Sequence, residues 1–158
     1  MSGTGALRRI LLVLAAFLAA PLAGQAQAAS LRAGAAKVDV TPSQKELPAN
    51  FRGILDHVYA RAIVVDDGAT LAAMVTIDTG AIPTDLWKKI SARAERELNI
   101  PQSQLLLTAT HTHSVPWVPA AGYEDKIFAA IRDAAKSLKP ARMAYGSGVS
   151  YINVNRNI

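Results

Sequence analysis

The pattern of hydrophobic and polar positions changes its period along the chain and predicts several strands. Segments that alternate apolar and polar residues, or that are rich in β-branched residues, are typical of strands. Six segments have this character, at residues 31–40, 57–65, 70–77, 105–110, 141–146 and 149–154. The segment 105–110 begins with three successive leucines, which is typical of a strand covered on both sides.

Two further segments repeat their apolar residues every three or four positions, which predicts amphipathic helices. In residues 85–98 the polar side chains take the opposite face, and Thr84 or Asp85 is placed to cap the start. In residues 123–138 two acidic side chains lie in the first turn and Lys136 lies in the last, as the helix dipole favours.

Helices that interleave with strands predict an α/β fold on the border with α+β. We expect a mixed β-sheet with the two amphipathic helices packed on it, each covering a face. Asp66-Asp67-Gly68 supplies a turn between two of the strands, so that pair is expected to be antiparallel. No internal repeat or flexible linker divides the chain after residue 28, which indicates one compact unit.

The first 28 residues have the three-part layout of a secretory signal peptide. Arg8 and Arg9 precede an apolar run from Ile10 to Ala20, and the small-residue triplet Ala26-Gln27-Ala28 follows it. The apolar run is shorter than the roughly 20 residues that span a bilayer. We therefore expect residues 1–28 to be a cleaved signal peptide and the protein to be exported, periplasmic or secreted. A single membrane anchor is the alternative.

The composition excludes several classes of protein. The chain has 158 residues, 51% of them hydrophobic and none of them cysteine, so disordered chains, disulfide scaffolds and thiolate sites are excluded. Loss of the two N-terminal arginines with the signal peptide would lower the formal charge from +5 to +3. This mildly basic charge does not indicate nucleic-acid binding. It would favour transient contact with anionic membrane surfaces, but solvated surface charge is the preferred interpretation.

Candidate chemistry is concentrated in Thr110-His111-Thr112-His113-Ser114, which follows the apolar strand at 105–110. In extended backbone His111 and His113 point to the same side, about 6.6 Å apart, and can bind or flank one metal ion. The carboxyl end of a strand is also the usual position of ligands in α/β sheets. The alternative is a polar strand end whose imidazoles bond to threonine hydroxyls and backbone.

Other polar and aromatic residues have structural alternatives to a functional role. Asp78 follows a strand and could orient a histidine, but a turn residue before a helix is the favoured interpretation. Trp117, in the loop after the histidines, is a better candidate for lipid contact than Trp87, and simple packing is the alternative for both. For His57 we expect a structural or surface role.

The segment Thr110-His111-Thr112-His113-Ser114-x-Pro116 resembles the Thr-His-Thr-His-Ser-Gly-Pro segment of the neutral/alkaline non-lysosomal ceramidases. Four other segments resemble segments of that family, in the same order along the chain. They are residues 33–42, 53–65, 76–80 and the Asn-Arg segment at 153–156.

The resemblance implies a zinc amidohydrolase that cleaves the N-acyl amide of ceramide into a sphingoid base and a fatty acid. His111 matches a zinc ligand of the family, and His113 matches a histidine that faces the scissile amide. Arg156 matches an arginine that lines the substrate pocket. The partner implied is therefore a sphingolipid or another amide lipid.

The departures from the family pattern are also informative. The family's other zinc ligands, a second His, a Glu and a Tyr, match nothing in this sequence, and Val115 replaces a glycine. Residues 29–158 are therefore expected to be the N-terminal portion of a ceramidase-like catalytic domain, a partial domain with an incomplete zinc site. The chain would then be a truncated or split form of the enzyme. Its expected partner is a second copy of itself or a missing C-terminal portion. The alternative is a non-catalytic exported remnant that binds lipid or a partner chain.

Overall fold

The computed structural model describes residues 31–117 and 120–151. Three sequence predictions lie outside the described residues. They are the signal peptide at 1–28, the pocket residue Arg156 and the last part of the strand predicted at 149–154. Among the described residues, no helix is long and apolar enough to cross a membrane.

Five strands and two helices make up the described part of the chain. In chain order they are β1 (Arg32–Asp39), β2 (Tyr59–Asp66), β3 (Leu71–Ile77), α1 (Thr84–Leu98), β4 (Leu105–Ala109), α2 (Tyr123–Lys136) and β5 (Lys139–Pro140). The strands form one sheet in the order β4-β3-β2-β1-β5. β3 and β4 are parallel and the other neighbours are antiparallel, so the predicted mixed sheet with two helices is confirmed.

The turn predicted between β2 and β3 is formed as the sequence indicates. Gly68 has a φ of 89°, a left-handed conformation that costs glycine little. The buried Asp66 carboxylate accepts a hydrogen bond from the Gly68 backbone N–H and pairs with Arg32. These contacts, the Gly68 bond first, hold the pKa of Asp66 below its usual value. The turn therefore also ties β1 to the hairpin.

Both helices pack on the sheet, as expected, and they cover the same face of it. Residues of α1 and α2 share one buried cluster with the inward side chains of β2, β3 and β4. Gly34 of β1 allows this arrangement, because a Cβ there would lie only 2.1 Å from the Ala134 carbonyl oxygen of α2. The largest fully buried side chains of the core are Phe128, Ile77, Ile90, Ile100, Ile127 and Ile131.

Three other details differ from the sequence prediction. Strand β4 is covered on one face only, since Leu105 and Leu107 are buried while Leu106 is half exposed. Helix α1 starts after Pro83 with no side-chain cap bond, so neither Thr84 nor Asp85 caps it. Residues 141–151 form no strand. Ala141 still donates a hydrogen bond to the carbonyl of Leu31, the residue at which the described part of the chain begins.

Candidate functional site

The two histidines follow β4 where the chain leaves the sheet. The Thr110 N–H donates to the Ile77 carbonyl over 2.9 Å and continues the pairing between β3 and β4. His111 then has a φ of 62°, in the left-handed region that non-glycine residues rarely adopt. The expectation of extended backbone at the histidine pair is therefore wrong at His111. Such conformations persist only where surrounding contacts hold them, and they concentrate at functional sites.

The contact that holds His111 is a hydrogen bond to the backbone of the loop after β3. Its Nδ1 lies 2.6 Å from the Gly80 carbonyl oxygen. Because a carbonyl only accepts, Nδ1 carries the proton and Nε2 of the neutral ring is the unprotonated nitrogen that can act as acceptor or ligand. A backbone carbonyl behind one ring nitrogen is the arrangement that orients metal-binding histidines. The sequence prediction did not identify this role of Gly80.

His113 faces the free nitrogen of His111. The two Nε2 atoms are 3.3 Å apart, and the rings meet edge to face with centroids 4.8 Å apart. Two nitrogens that both bind a tetrahedral zinc at about 2.0–2.1 Å would also be separated by about 3.3 Å. The distance between the two Nε2 atoms is therefore compatible with one shared zinc ion, and it is equally compatible with a direct hydrogen bond between the rings. Across residues 31–117 and 120–151 no group of three His, Cys, Asp or Glu side chains could hold a metal.

Trp117 packs beside the histidine pair. Its ring meets the His113 ring edge to face at a centroid distance of 5.6 Å, although 65% of the side chain stays exposed. A Cβ on Gly80 would lie 2.7 Å from the outer atoms of the same indole, so the ring occupies the space that glycine leaves. Gly80 therefore supports the site twice, through its carbonyl and through its missing side chain. Trp87, in contrast, packs against the core.

Replacing Gly80 with alanine should displace the Trp117 ring and leave the fold intact. The added methyl group collides with an exposed indole that can move, so we expect a loss of stability below about 1 kcal/mol. The tryptophan emission spectrum should shift to longer wavelength as the indole leaves the His113 ring. In the Trp117→Phe background the same substitution should leave the emission of Trp87 unchanged. An unaltered spectrum of Gly80→Ala would contradict the packing described.

A cavity of about 330 Å³ lies against the same segment of chain. Thr110, Thr112 and Ser114 line it, whereas His111 and His113 do not, so the cavity and the imidazole pair flank the segment. Most of the remaining lining is apolar and comes from the segment between β1 and β2. These side chains include Leu47, Phe51, Ile54, Leu55 and Val58, with Val115 from the opposite side. The size and the mixed lining are typical of a small-molecule site.

His57 lies at the surface, as expected, and also lines this cavity. Its Nδ1 is 2.6 Å from an Asp39 carboxylate oxygen and 3.3 Å from the Thr41 hydroxyl. Hydrogen bonds from the Thr41 hydroxyl and backbone, followed by the His57 contact, lower the pKa of Asp39 to about 2. Asp39 is therefore ionised at neutral pH and fixes the orientation of the imidazole at the cavity rim.

Asp78 does not orient either histidine of the pair. Its carboxylate accepts a hydrogen bond from the Tyr59 backbone N–H at 2.9 Å and from the Arg61 guanidinium at 2.7 Å. The side chain therefore links the paired ends of β2 and β3. The hypothesis that Asp78 orients a histidine is wrong, because the Gly80 carbonyl accepts the hydrogen bond that orients the His111 ring.

Comparisons with known proteins show a relationship of fold. No protein-family model and no curated protein matches the chain. Solved structures that match include a ceramidase complexed with C2, at 24% sequence identity and a TM-score of 0.59. A neutral ceramidase from Pseudomonas aeruginosa matches at 23% identity with a TM-score of 0.56. Each alignment covers 70% of this chain and 22% of the ceramidase chain.

These similarities confirm the resemblance to neutral ceramidases at the level of the fold. The chain spans about a fifth of the length of the ceramidase structures it matches. The fold of the described residues is therefore that of one part of a ceramidase.

Proposed function

We propose that the chain is a portion of a ceramidase-like zinc amidohydrolase, which hydrolyses the N-acyl amide of ceramide to a sphingoid base and a fatty acid. The observation that carries the proposal is the imidazole pair, in which the unprotonated Nε2 of His111 lies 3.3 Å from Nε2 of His113. The pair lies beside a mostly apolar cavity in a ceramidase fold. Together these features suit a lipid amide and a hydrolytic metal.

In this proposal each residue of the site has a separate task. His111 would hold a zinc ion through Nε2, and an ion bound there would supply an activated water and Lewis-acid polarisation of the amide carbonyl. His113 stands beside it, packed against Trp117, and donates a proton or hydrogen bond to the oxyanion that develops on the amide. The apolar cavity accepts part of a hydrocarbon chain, and exposed Trp117 makes transient contact with the membrane surface.

The site still needs groups from outside the described residues. Arg156 is proposed as a substrate-binding residue because it matches the pocket arginine of the family. Further zinc ligands are also needed, because His111, even with help from His113, would hold zinc far more weakly than the three or four ligands of a complete site. This incomplete ligand set favours a second candidate function, a non-catalytic exported remnant that binds lipid or a partner chain.

Zinc titration and a hydrolysis assay on the purified chain distinguish the two candidates. With two or fewer protein ligands, we expect a dissociation constant above about micromolar, and cleavage of a short-chain ceramide that is slow or absent. Saturable zinc binding with no turnover over the metal-free control would favour the remnant. Tight stoichiometric zinc with rapid turnover would show instead that other residues, for example from a second copy of the chain, complete the site.

Export is the part of the proposal that can be measured without activity. If residues 1–28 form a cleaved signal peptide, the protein recovered from the periplasm or the medium should begin at or near Ala29. N-terminal sequencing or intact-mass measurement gives the result directly. A membrane-held product that still begins at Met1 would show that the segment is an anchor.

A further inference from the structure

The face of the sheet opposite the helices carries a row of apolar side chains. Ile63 of β2 pairs with Met74 of β3, and Met74 pairs with Leu106 of β4, so the three lie side by side across the sheet. Their exposed fractions are 51%, 60% and 51%. Neighbouring β strands are about 4.8 Å apart, so these side chains form one continuous apolar strip.

A strip of this kind is unusual on a sheet face that stays in water. The solvent face of an antiparallel sheet normally alternates to polar side chains, and parallel strand pairs such as β3 and β4 are normally covered on both faces. The three successive leucines of β4 have the pattern of a doubly covered strand, yet only one face is covered within the described residues. Both the pattern and the exposure therefore indicate a missing layer.

The polar end of the same face limits the chemistry of that layer. Lys37 of β1 and Arg61 of β2 lie directly opposite each other in the strand register on this face. Arg61 has Asp78 as its partner, whereas the Lys37 ammonium lies over the Tyr59 ring at 4.3 Å, with no carboxylate within salt-bridge distance in the described part of the chain. A complementary surface would present an apolar stripe to Met74 and a carboxylate to Lys37.

The area and the charge argue against a second copy of this chain as the occupant. Four strands of about seven residues give a face of about 450 Å², so two copies would bury about 900 Å² in total, less than stable dimers bury. Two chains that each carry a formal charge of +5, or of +3 after loss of the signal peptide, also repel each other. A layer that belongs to the same folded unit can be stable with a smaller buried area than a dimer needs, because its parts are already held together.

We infer that this open face is the docking surface for the remainder of a ceramidase-like catalytic unit, an inference that rests on the proposed function. More than three quarters of each matched ceramidase chain has no counterpart in this one. A polypeptide equivalent to that unmatched part supplies an amphipathic layer over Ile63, Met74 and Leu106, with an acidic group facing Lys37. Docking through this face leaves the loop that carries His111 and His113 available to the added residues.

The test uses the Pseudomonas aeruginosa neutral ceramidase without its matched segment, expressed as a separate tagged chain. The matched segment of that ceramidase, supplied separately, is the positive control for capture. Wild-type chain should be captured, and Met74→Glu should reduce capture at least tenfold, because a carboxylate would then be buried in the apolar strip. Met143→Glu is the matched control, since Met143 is 82% exposed and lies outside the sheet, and it should be captured like wild type.

Circular dichroism and sedimentation measurements complete the design. Met74 is mostly exposed, so Met74→Glu should retain the wild-type spectrum, and Leu106→Glu on β4 is a second variant of the same strip. Failure to capture wild type under conditions that capture the ceramidase's own segment would overturn the inference. Equal capture of Met74→Glu would also overturn it, as would a wild-type dimer that Met74→Glu dissociates. Capture without any zinc binding would leave the docking intact and refute the proposed activity.

Discussion

Replacing His111 with alanine should abolish the zinc binding of the purified chain. Nε2 of His111 is the one imidazole nitrogen of the pair whose lone pair is fixed by a backbone contact, the 2.6 Å bond from Nδ1 to the Gly80 carbonyl. Removal of this ligand leaves at most one imidazole for the ion. We expect the zinc affinity to fall at least tenfold, measured by calorimetry or by competition with a chromophoric chelator.

His113→Ala should give a different result if the two histidines have the proposed tasks. It should spare part of the zinc binding and remove any residual hydrolysis of a short-chain ceramide, because His113 acts on the developing oxyanion. Equal losses of zinc in both variants would show that both imidazoles hold the ion. That outcome is compatible with the 3.3 Å between the Nε2 atoms, and it would contradict the role taken from the family resemblance.

Two controls separate these effects from damage to the fold. Alanine at position 111 must adopt the left-handed φ of 62°, whereas asparagine tolerates that conformation and still removes the imidazole. His111→Asn should therefore lose zinc while it retains the wild-type unfolding midpoint. His57→Ala removes a histidine that pairs with Asp39 instead, and it should leave the zinc affinity unchanged.

The regular elements that pack against each other could be predicted from their patterns. The helix at 123–138 is found at Tyr123–Lys136, and the β2–β3 hairpin turns at Asp66–Gly68, because burial and turn chemistry both act locally. The strand at 141–146 fails although its composition favours a strand. A strand needs a neighbour, and in the described part of the chain the pairing of β5 with β1 ends at Arg32 and Pro140.

Which face of the sheet the helices cover could not be read from local patterns. Both helices are amphipathic, and either face of the sheet would accept an apolar stripe. The decisive feature is the contact at Gly34, which lets α2 approach β1 at close distance on the face that α1 also covers. Such a contact depends on residues about 100 positions apart, Gly34 with Ala134 and Ser137, and has no signature in either segment alone.

The sequence predicted which residues form the candidate site, but it did not predict their arrangement. His111 and His113 were identifiable by their position after an apolar strand, and the structure brings their rings together. The left-handed turn at His111 and the Gly80 carbonyl behind it were not, because both arise from the way two separate loops meet. The lining of the cavity by Leu47 and Phe51 is equally a product of tertiary structure.

Replacing Gly34 with alanine should have the largest effect on stability of any change considered. The new Cβ would lie 2.1 Å from the Ala134 carbonyl oxygen and 2.9 Å from the Leu138 backbone nitrogen, and both atoms belong to backbone that cannot rotate away. Helix α2 would have to shift off β1 and open the core that Phe128 fills. We expect a loss of about 3 kcal/mol or more in the free energy of unfolding, measured by urea denaturation.

Gly146→Ala is the matched control, because a Cβ at that position meets no atom within 4 Å. It introduces the same methyl group and the same change in backbone freedom, so it should alter the free energy of unfolding by no more than about 0.5 kcal/mol. The difference between the two variants isolates the close approach of α2 to β1. A Gly34→Ala protein as stable as wild type would mean that α2 does not lie against β1 at this point. It would also contradict the packing of both helices on one face, which leaves Ile63, Met74 and Leu106 exposed on the other.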